Sequence, residues 1–510
     1  VDAGTGSVRA VLFDLEGSQI ACVQQEWEHK EDPRYPGSMD FDWTYNWELT
    51  CGCIRGVLKE SGIAPEEIAA ISTTCMREGI VLYDREGNEI WACANVDARS
   101  NDEVGRLREA YPGQEKELYL ESGQTYALDA LPRLLWVRDK MPQVYEKLAY
   151  VGMFNDWLIY KMTGGLAVEP SNGSTTGLFS LKKRDWDPTI AQRCGLRTDI
   201  FPEVRECGST AGTVTAQCEA QTGLAQGTPV IVGGGDAQLG CIGVGVVKPN
   251  QAAVFGGSFW QYEYNTGDGH TDQDCRVRVN CHAVPGVWQY EALAFKPGLV
   301  MRWFRDGFCQ AEKELAKLKG TDPYDVMNEY AKDIPAGSYG MMCAFSDVMN
   351  FINWKHASPT FTNFELDPVR FSKYTFYRAI LENTAMVTKG HLDLVREATG
   401  NHPEEIIFAG GASKSPLWCQ ILSDVLGLPV KVPVVKEATA LGAAILAGYG
   451  TGIYKDMSKA AEKLVQWDTT YVPDSANHQL FCEIYEQWRR IYKAQLNLCN
   501  QDLTRSMWAA

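Results

Sequence analysis

At 510 residues and 45% apolar content, the chain is long enough for two large domains or two to four ordinary ones, each with its own core. Its 65 acidic against 48 basic residues give a formal charge of −17, which repels nucleic-acid backbones and anionic membrane surfaces and sets both aside as partners. The 16 cysteines stand singly apart from Cys51 and Cys53, without CxxC pairs or zinc-type Cys/His spacing, a pattern of reduced core thiols in a cytoplasmic protein.

The chain starts VDAGTGSVRAVLFD. Val8, Ala10 and Leu12 alternate with Arg9, Val11 and Phe13 as in a strand, and Gly4 with Gly6 permits a tight turn ahead of it. The segment from Asp2 to Arg9 therefore reads as the tip of a hairpin, which predicts a further apolar strand ahead of Val1. NWELTCGCIRGVLKESG follows as a helix, and GIVLYDREG as a strand with Arg77 and Glu78 at its start. WACANVDARS places Asn95, Asp97 and Arg99 on a short loop. TPVIVGG is an apolar strand; the longer run TPVIVGGGDAQLGCIGVGVV is broken by Asp236 and by glycines and does not read as a membrane span. A helix through 240–246 is expected to serve as a hinge, and a boundary near 243–249 divides the chain into domains 1–244 and 245–510. QAAVFGGSFWQYEY, the helix FYRAILENTAMVTKGHLDLVREATG and the strand EIIFAGG continue the α/β alternation. SKAAEKLVQW and FCEIYEQWRRIYKAQLNL are amphipathic helices expected on the outside of the second domain.

Phosphates need close backbone, several N–H donors, hydroxyls and positive charge. DAGTGSVR supplies Gly4 and Gly6, Thr5 and Ser7, and Arg9, with Asp2 placed to hold a phosphate-bound Mg²⁺; an ordinary hairpin has the same turn residues. In GGGDAQLG three glycines clear side-chain bulk around Asp236, which either caps the following helix or, beside a phosphate loop, accepts the proton of an alcohol under phosphoryl transfer. In FAGGASKSPLW, Gly410 and Gly411 leave bare backbone for a flat base or ribose, with Ser413 and Ser415 at the following helix; the GxGxxG spacing of a dinucleotide site is absent. Arg77, Glu78, Asn95 and Asp97 suit a ligand with several hydroxyl or carbonyl oxygens, or form surface ion pairs at strand ends.

Taken in order, DAGTGSVR, VGGGDAQLG, FGGSFW and FAGGASKSPLW resemble the FGGY family of carbohydrate kinases over nearly the whole chain. SDVMNFINWKHASPTF, VKEATALGAAILAG, MREGIV and WACANVDARS resemble those of its members that act on autoinducer-2. The resemblance implies the two-domain actin-like, ribonuclease H-like ATPase fold, with an interdomain cleft that closes once ATP and substrate are bound. It implies Asp236 as catalytic base, and Thr5, Gly6, Ser7 and Arg9 as the first phosphate loop. It likewise implies Gly257 and Ser258 as the second loop, Gly298 as a nucleotide-pocket glycine, and Gly410, Gly411, Ser413 and Ser415 around adenosine. Arg77, Glu78, Asn95, Asp97, Asp236 and Gln238 are implied to bind substrate, and Asp2 with Asp236 to serve Mg²⁺. The implied reaction moves phosphate from ATP to the C5 hydroxyl of linear 4,5-dihydroxy-2,3-pentanedione, autoinducer-2, in quorum sensing. Gly257 stands where relatives usually have Thr, and Ser415 where glycerol kinases have Asn. Leu128 and Ala237 replace the Tyr and Gln of glycerol kinases, which points away from glycerol. A pentulose or polyol kinase is the rival within the family; a non-kinase actin-like ATPase or a sugar sensor is the rival of another class.

Overall fold

The structure, a computed structural model, describes every residue except 128, 435, 436 and 510. Its contacts divide the chain into two units, Val1–Pro249 with Asn265–Gln289 and Val435–Gln466, and Asn250–Tyr264 with Tyr290–Val434 and Trp467–Ala510.

In the first unit the opening motif is a hairpin, Asp2–Ala3 against Ser7–Phe13, with Asp2 opposite Arg9. Neither glycine of its turn has a positive φ, so the turn does not rest on the left-handed freedom expected of them. Gln19–Glu26 extends the hairpin on one side, while Ile71–Cys75 pairs parallel to Asp2–Ala3 on the other and Pro229–Gly235 pairs parallel to Ile71–Cys75. Thr210–Thr213 closes that side antiparallel. The register sets Ala3 opposite Cys75 and Cys75 opposite Gly235, so three parallel strands end at one level. Helix Trp43–Ser61, capped by the Asp42 carboxylate and stopped by Gly62 at φ 67, buries Trp47, Ile54 and Val57 against this sheet.

The helix after Pro229–Gly235 runs Asp236–Gly243, four residues ahead of its expected start, because Gly235 already occupies the N-cap and Asp236 lies in the first turn. It packs closely on helix Ala438–Gly450. A Cβ on Gly243 would come 1.8 Å from the Ala438 carbonyl oxygen, and one on Gly442 2.0 Å from that of Leu239. This close crossing draws a late segment into the first unit, so the division of the chain is not the single cut at 244 read from sequence. Helix Met457–Leu464 is drawn in as well: Met457, Ala460, Ala461 and Leu464 share a core with Leu239, Ile242, Leu441 and Ile445. Of the two C-terminal helices expected on the second domain, only Ser475–Asn500 lies in the second unit.

The second unit repeats the plan. Ala252–Gly256 and Trp260–Thr266 form a hairpin with Gly257 at its turn, and Tyr290–Phe295 belongs to the strand beside it. Ile406–Ala409 pairs parallel to Ala252–Gly256, Val430–Pro433 parallel to Ile406–Ala409, and Trp467–Tyr471 antiparallel at the edge. The cysteines form no disulfides with one another, and all but Cys22 and Cys482 are buried. Among the described residues no helix is long and apolar enough to cross a membrane.

Candidate active site

In the first unit the ends of the three parallel strands deliver Gly4, Met76-Arg77-Glu78 and Asp236 side by side. Asp236 Oδ1 accepts the Ala237 N–H at 2.8 Å and lies 3.5 Å from Arg77 Nε. The Asp236 side chain remains 43% exposed while that of Arg77 is 8% exposed, so a buried guanidinium backs an accessible carboxylate. The three glycines ahead of it have a packing role that the sequence reading did not foresee. A Cβ on Gly233 would meet the Thr73 carbonyl oxygen at 1.6 Å, one on Gly234 Ser171 Oγ at 2.7 Å, and one on Gly235 the Arg77 Cγ at 2.9 Å. They bring the strand close to its neighbours, and Gly235 in particular leaves room for Arg77.

Glu78 adopts φ 70, a left-handed conformation that costs a non-glycine residue free energy and is found where surroundings enforce it. Arg133 does so, donating to the Glu78 carbonyl, while Arg278 donates to its carboxylate. Burial would raise the Glu78 carboxyl; Arg278, Arg77 and Arg133 together hold it below the usual range. Asp129, 3.5 Å from Arg278 Nη2, is pushed well above that range by burial. Arg278, Arg133 and Asp129 were missed in the sequence; Arg278 is 200 positions from Glu78 and carries no local mark.

Asp2 is buried, and Arg9 Nε donates to its Oδ2 at 2.8 Å, so one of its oxygens is committed to the arginine. Arg9 Nη1 reaches Glu437 Oε2 at 2.5 Å, a partner likewise missed within VKEATALG. Burial raises both carboxyls, with Arg9 acting in the opposite direction on each. Thr5 and Gly6 are exposed on the turn, and Ser7 opens the second strand.

The remaining residues expected to bind substrate also make contacts within the protein. Asn95 Nδ2 donates to Thr5 Oγ1 at 3.0 Å, tying its loop to the turn at Gly4 to Gly6. Asp97 is buried and accepts from the Met39 N–H at 2.6 Å and from Arg99 Nε at 2.8 Å, which makes it a brace within its loop. Gln238 is wholly buried and donates to Gln289 at 2.9 Å. Leu128 lies outside the described residues, and Ala237 is buried in the first turn of its helix. Among the described residues no three His, Cys, Asp or Glu side chains cluster to hold a metal.

In the second unit the expected nucleotide residues come together. A Cβ on Gly298 would lie 1.9 Å from the Gly257 carbonyl oxygen and 3.0 Å from Ser258 Cα, so the start of helix Pro297–Phe308 rests on the hairpin turn. Gly410, at φ 94, lies against the Gly256 carbonyl, where a Cβ would come within 2.6 Å. Gly411 faces open space. Ser413 Oγ donates to the Gly410 carbonyl at 2.8 Å, and Ser415 Oγ accepts the Trp418 N–H at 3.2 Å as the cap of helix Pro416–Leu426. Both hydroxyls thus hold the turn. Arg302, unnoticed in the sequence, brings Nη2 to 3.5 Å from Ser258 Oγ.

Family models for the FGGY carbohydrate kinases match on both sides of the chain, the N-terminal domain over 1–243 and the C-terminal domain over 270–451. The chain belongs to the FGGY family of carbohydrate kinases. Its curated relatives include autoinducer-2 kinases of Escherichia coli K12, 50% identical over all of this chain and 96% of theirs, and of Yersinia enterocolitica, 50% identical over all of this chain and 97% of theirs. Among solved structures, xylulose kinase from Rhodospirillum rubrum superposes with a TM-score of 0.85 at 22% identity over 98% of each chain. Plasmodium falciparum glycerol kinase with ADP gives 0.82 at 18% identity over 96% of this chain and 97% of that one; at such identities the likeness is one of fold. As an FGGY kinase, the protein is a phosphotransferase with an alcohol as acceptor and ATP as donor.

Proposed function

We propose that this kinase phosphorylates the C5 hydroxyl of linear 4,5-dihydroxy-2,3-pentanedione, giving phospho-autoinducer-2. The observation that carries the reading is the 50% identity over the whole chain to relatives named for that substrate. The geometry supports it in kind. An exposed carboxylate at Asp236, backed by the buried Arg77 guanidinium, suits acceptance of a hydroxyl proton as the phosphoryl group leaves ATP. Arg9, held by Asp2 and Glu437, offers a fixed positive charge beside the Gly4 turn. The nucleotide would rest on the bare backbone of Gly257, Gly298, Gly410 and Gly411.

Mg²⁺ fits this donor set. It keeps most of its waters and binds phosphates with one or two carboxylates; Asp236 is open to it, and Asp2 would reach it through water, having given one oxygen to Arg9. When bound it would neutralise charge on the phosphates.

The test is a substrate panel of 4,5-dihydroxy-2,3-pentanedione, xylulose, ribulose, glycerol and erythritol. The first is expected to lead in kcat/KM by at least ~10-fold, about 1.4 kcal/mol of discrimination. A win for xylulose or ribulose would replace the substrate and keep the kinase; ADP release without any acceptor would favour a non-kinase ATPase.

A further inference from the structure

The turn at Gly4 to Gly6 is held from one side by two aromatic residues just past the third strand. Trp27 Nε1 donates to the Gly4 carbonyl at 3.0 Å and to the Thr5 carbonyl at 3.2 Å, and the Trp27 N–H donates to the Gly6 carbonyl at 3.2 Å. His29 Nε2 lies 2.7 Å from the Thr5 carbonyl. A carbonyl can only accept, so this nitrogen carries the proton. Every carbonyl of the turn is therefore drawn to the same side.

Peptide planarity turns this into a statement about donors. In a trans peptide the N–H points opposite to the preceding C=O, so fixing the Gly4 and Thr5 carbonyls aims the N–H groups of Thr5 and Gly6 the other way. Among the described residues neither of those N–H groups has an acceptor in the protein. Nor does the protein itself require glycine at 6: its φ is not positive, and a Cβ there would meet nothing within 4 Å. The bare side of Gly6 faces outward with the two donors.

We propose that Trp27 and His29 are positioning residues of the phosphate turn, which pin its carbonyls so that the Thr5 and Gly6 N–H groups stand ready for an ATP phosphate oxygen. The inference rests on the kinase reading above and deepens it. Neither residue touches the ligand. Trp27 is buried and meets Phe41 edge-on at 5.5 Å, and His29 packs 6.0 Å from the same ring, so both pins are themselves fixed by packing.

The experiment separates the ring from its donor. His29→Phe keeps an aromatic ring on Phe41 and removes the hydrogen bond; His29→Gln restores an N–H at similar reach; Trp27→Phe removes the indole donor together with part of the ring. The expected result is an ATP KM raised about 5- to 10-fold in the two phenylalanine variants, the scale of one lost hydrogen bond, with the acceptor KM within about twofold of wild type. His29→Gln should recover most of the loss. An ATP KM unchanged in a folded His29→Phe protein overturns the proposal, as does a glutamine variant no better than the phenylalanine one. Calorimetric titration with inorganic tripolyphosphate reads the same donors without turnover, and its affinity should fall in His29→Phe and return in His29→Gln. Wild-type protein that binds tripolyphosphate in this pattern but phosphorylates no alcohol would overturn the kinase reading alone. Wild-type protein that phosphorylates while tripolyphosphate affinity ignores both variants would overturn this proposal alone.

Discussion

Replacement of Asp236 by Asn separates a catalytic carboxylate from a structural one, because the structure assigns very different sizes to the two losses. The amide retains an oxygen for the Ala237 N–H, now accepted at 2.8 Å, so the helix start keeps its bond. What goes is the charge facing Arg77 Nε at 3.5 Å, and with the Asp236 side chain 43% exposed this pair contributes at most about 1 kcal/mol to stability. In a chain of this size that shifts the melting temperature by no more than about 2–4 °C. The loss of a general base lowers kcat by about 10²–10⁴-fold, equivalent to about 2.7–5.5 kcal/mol in the transition state. Steady-state ADP release with saturating acceptor, read beside a calorimetric melt of the same preparation, measures both. A variant that melts like wild type and keeps kcat within tenfold would remove Asp236 from the chemistry; one that melts far lower would show that the charge holds the fold.

Arg9→Ala leaves Asp2 and Glu437 facing each other without their cation, and both carboxyls are already raised by burial. A carboxyl whose folded pKa exceeds its unfolded one gives stability that is complete below the unfolded value and is lost as pH rises through the folded value, so the variant should fall further below wild type at pH 8 than at pH 5; equal losses in the two melts would refute the arrangement. Gly411→Ala should leave the melt unchanged, since its Cβ would meet nothing within 4 Å and its φ is not positive, yet raise the ATP KM by crowding the base. The matching change at Gly410, with φ 94 and the Gly256 carbonyl 2.6 Å from its Cβ, should cost stability instead, and an unaltered ATP KM in Gly411→Ala would take the adenosine away from this turn.

The strands Pro229–Gly235 before Asp236 and Ile406–Ala409 before Gly410 were legible because each is an apolar run stopped by glycine, a pattern local enough to read without a fold; Ile71–Cys75, with Ser72, Thr73 and Thr74 inside it, carries no such run and was not legible. Nor were the partners. Glu437 is 428 positions from Arg9, and neither its own neighbours nor the helical pattern after it indicates an arginine. In the sequence Gly233 reads as clearing space around Asp236, Gly243 as part of a hinge and Gly298 as lining a nucleotide pocket; each, like Gly442, is also needed because a backbone carbonyl lies within about 2 Å of where a Cβ would be, a purpose the sequence does not display. That same property explains the misplaced helix Met457–Leu464. Its periodicity gives an apolar face but not the core that face joins, and the close crossing of Ala438–Gly450 over Asp236–Gly243 made that choice.

The two sheets share one strand order, a hairpin extended on one side and two parallel strands followed by an antiparallel edge on the other. Equivalent positions are therefore comparable, and their chemistry has diverged. After the strand that pairs parallel to the hairpin, the first unit places Met76, Arg77 and Glu78 where the second places Gly410, Gly411 and Ala412. Charged side chains at that level suit orientation of a hydroxyl and removal of its proton, which require fixed charge near the reacting oxygen. Bare backbone suits a flat base, which a side chain would displace. A common scaffold thus presents two different surfaces because the strand register fixes where the chain must turn, while only a few residues at the turn determine whether a ligand would meet charge or open space.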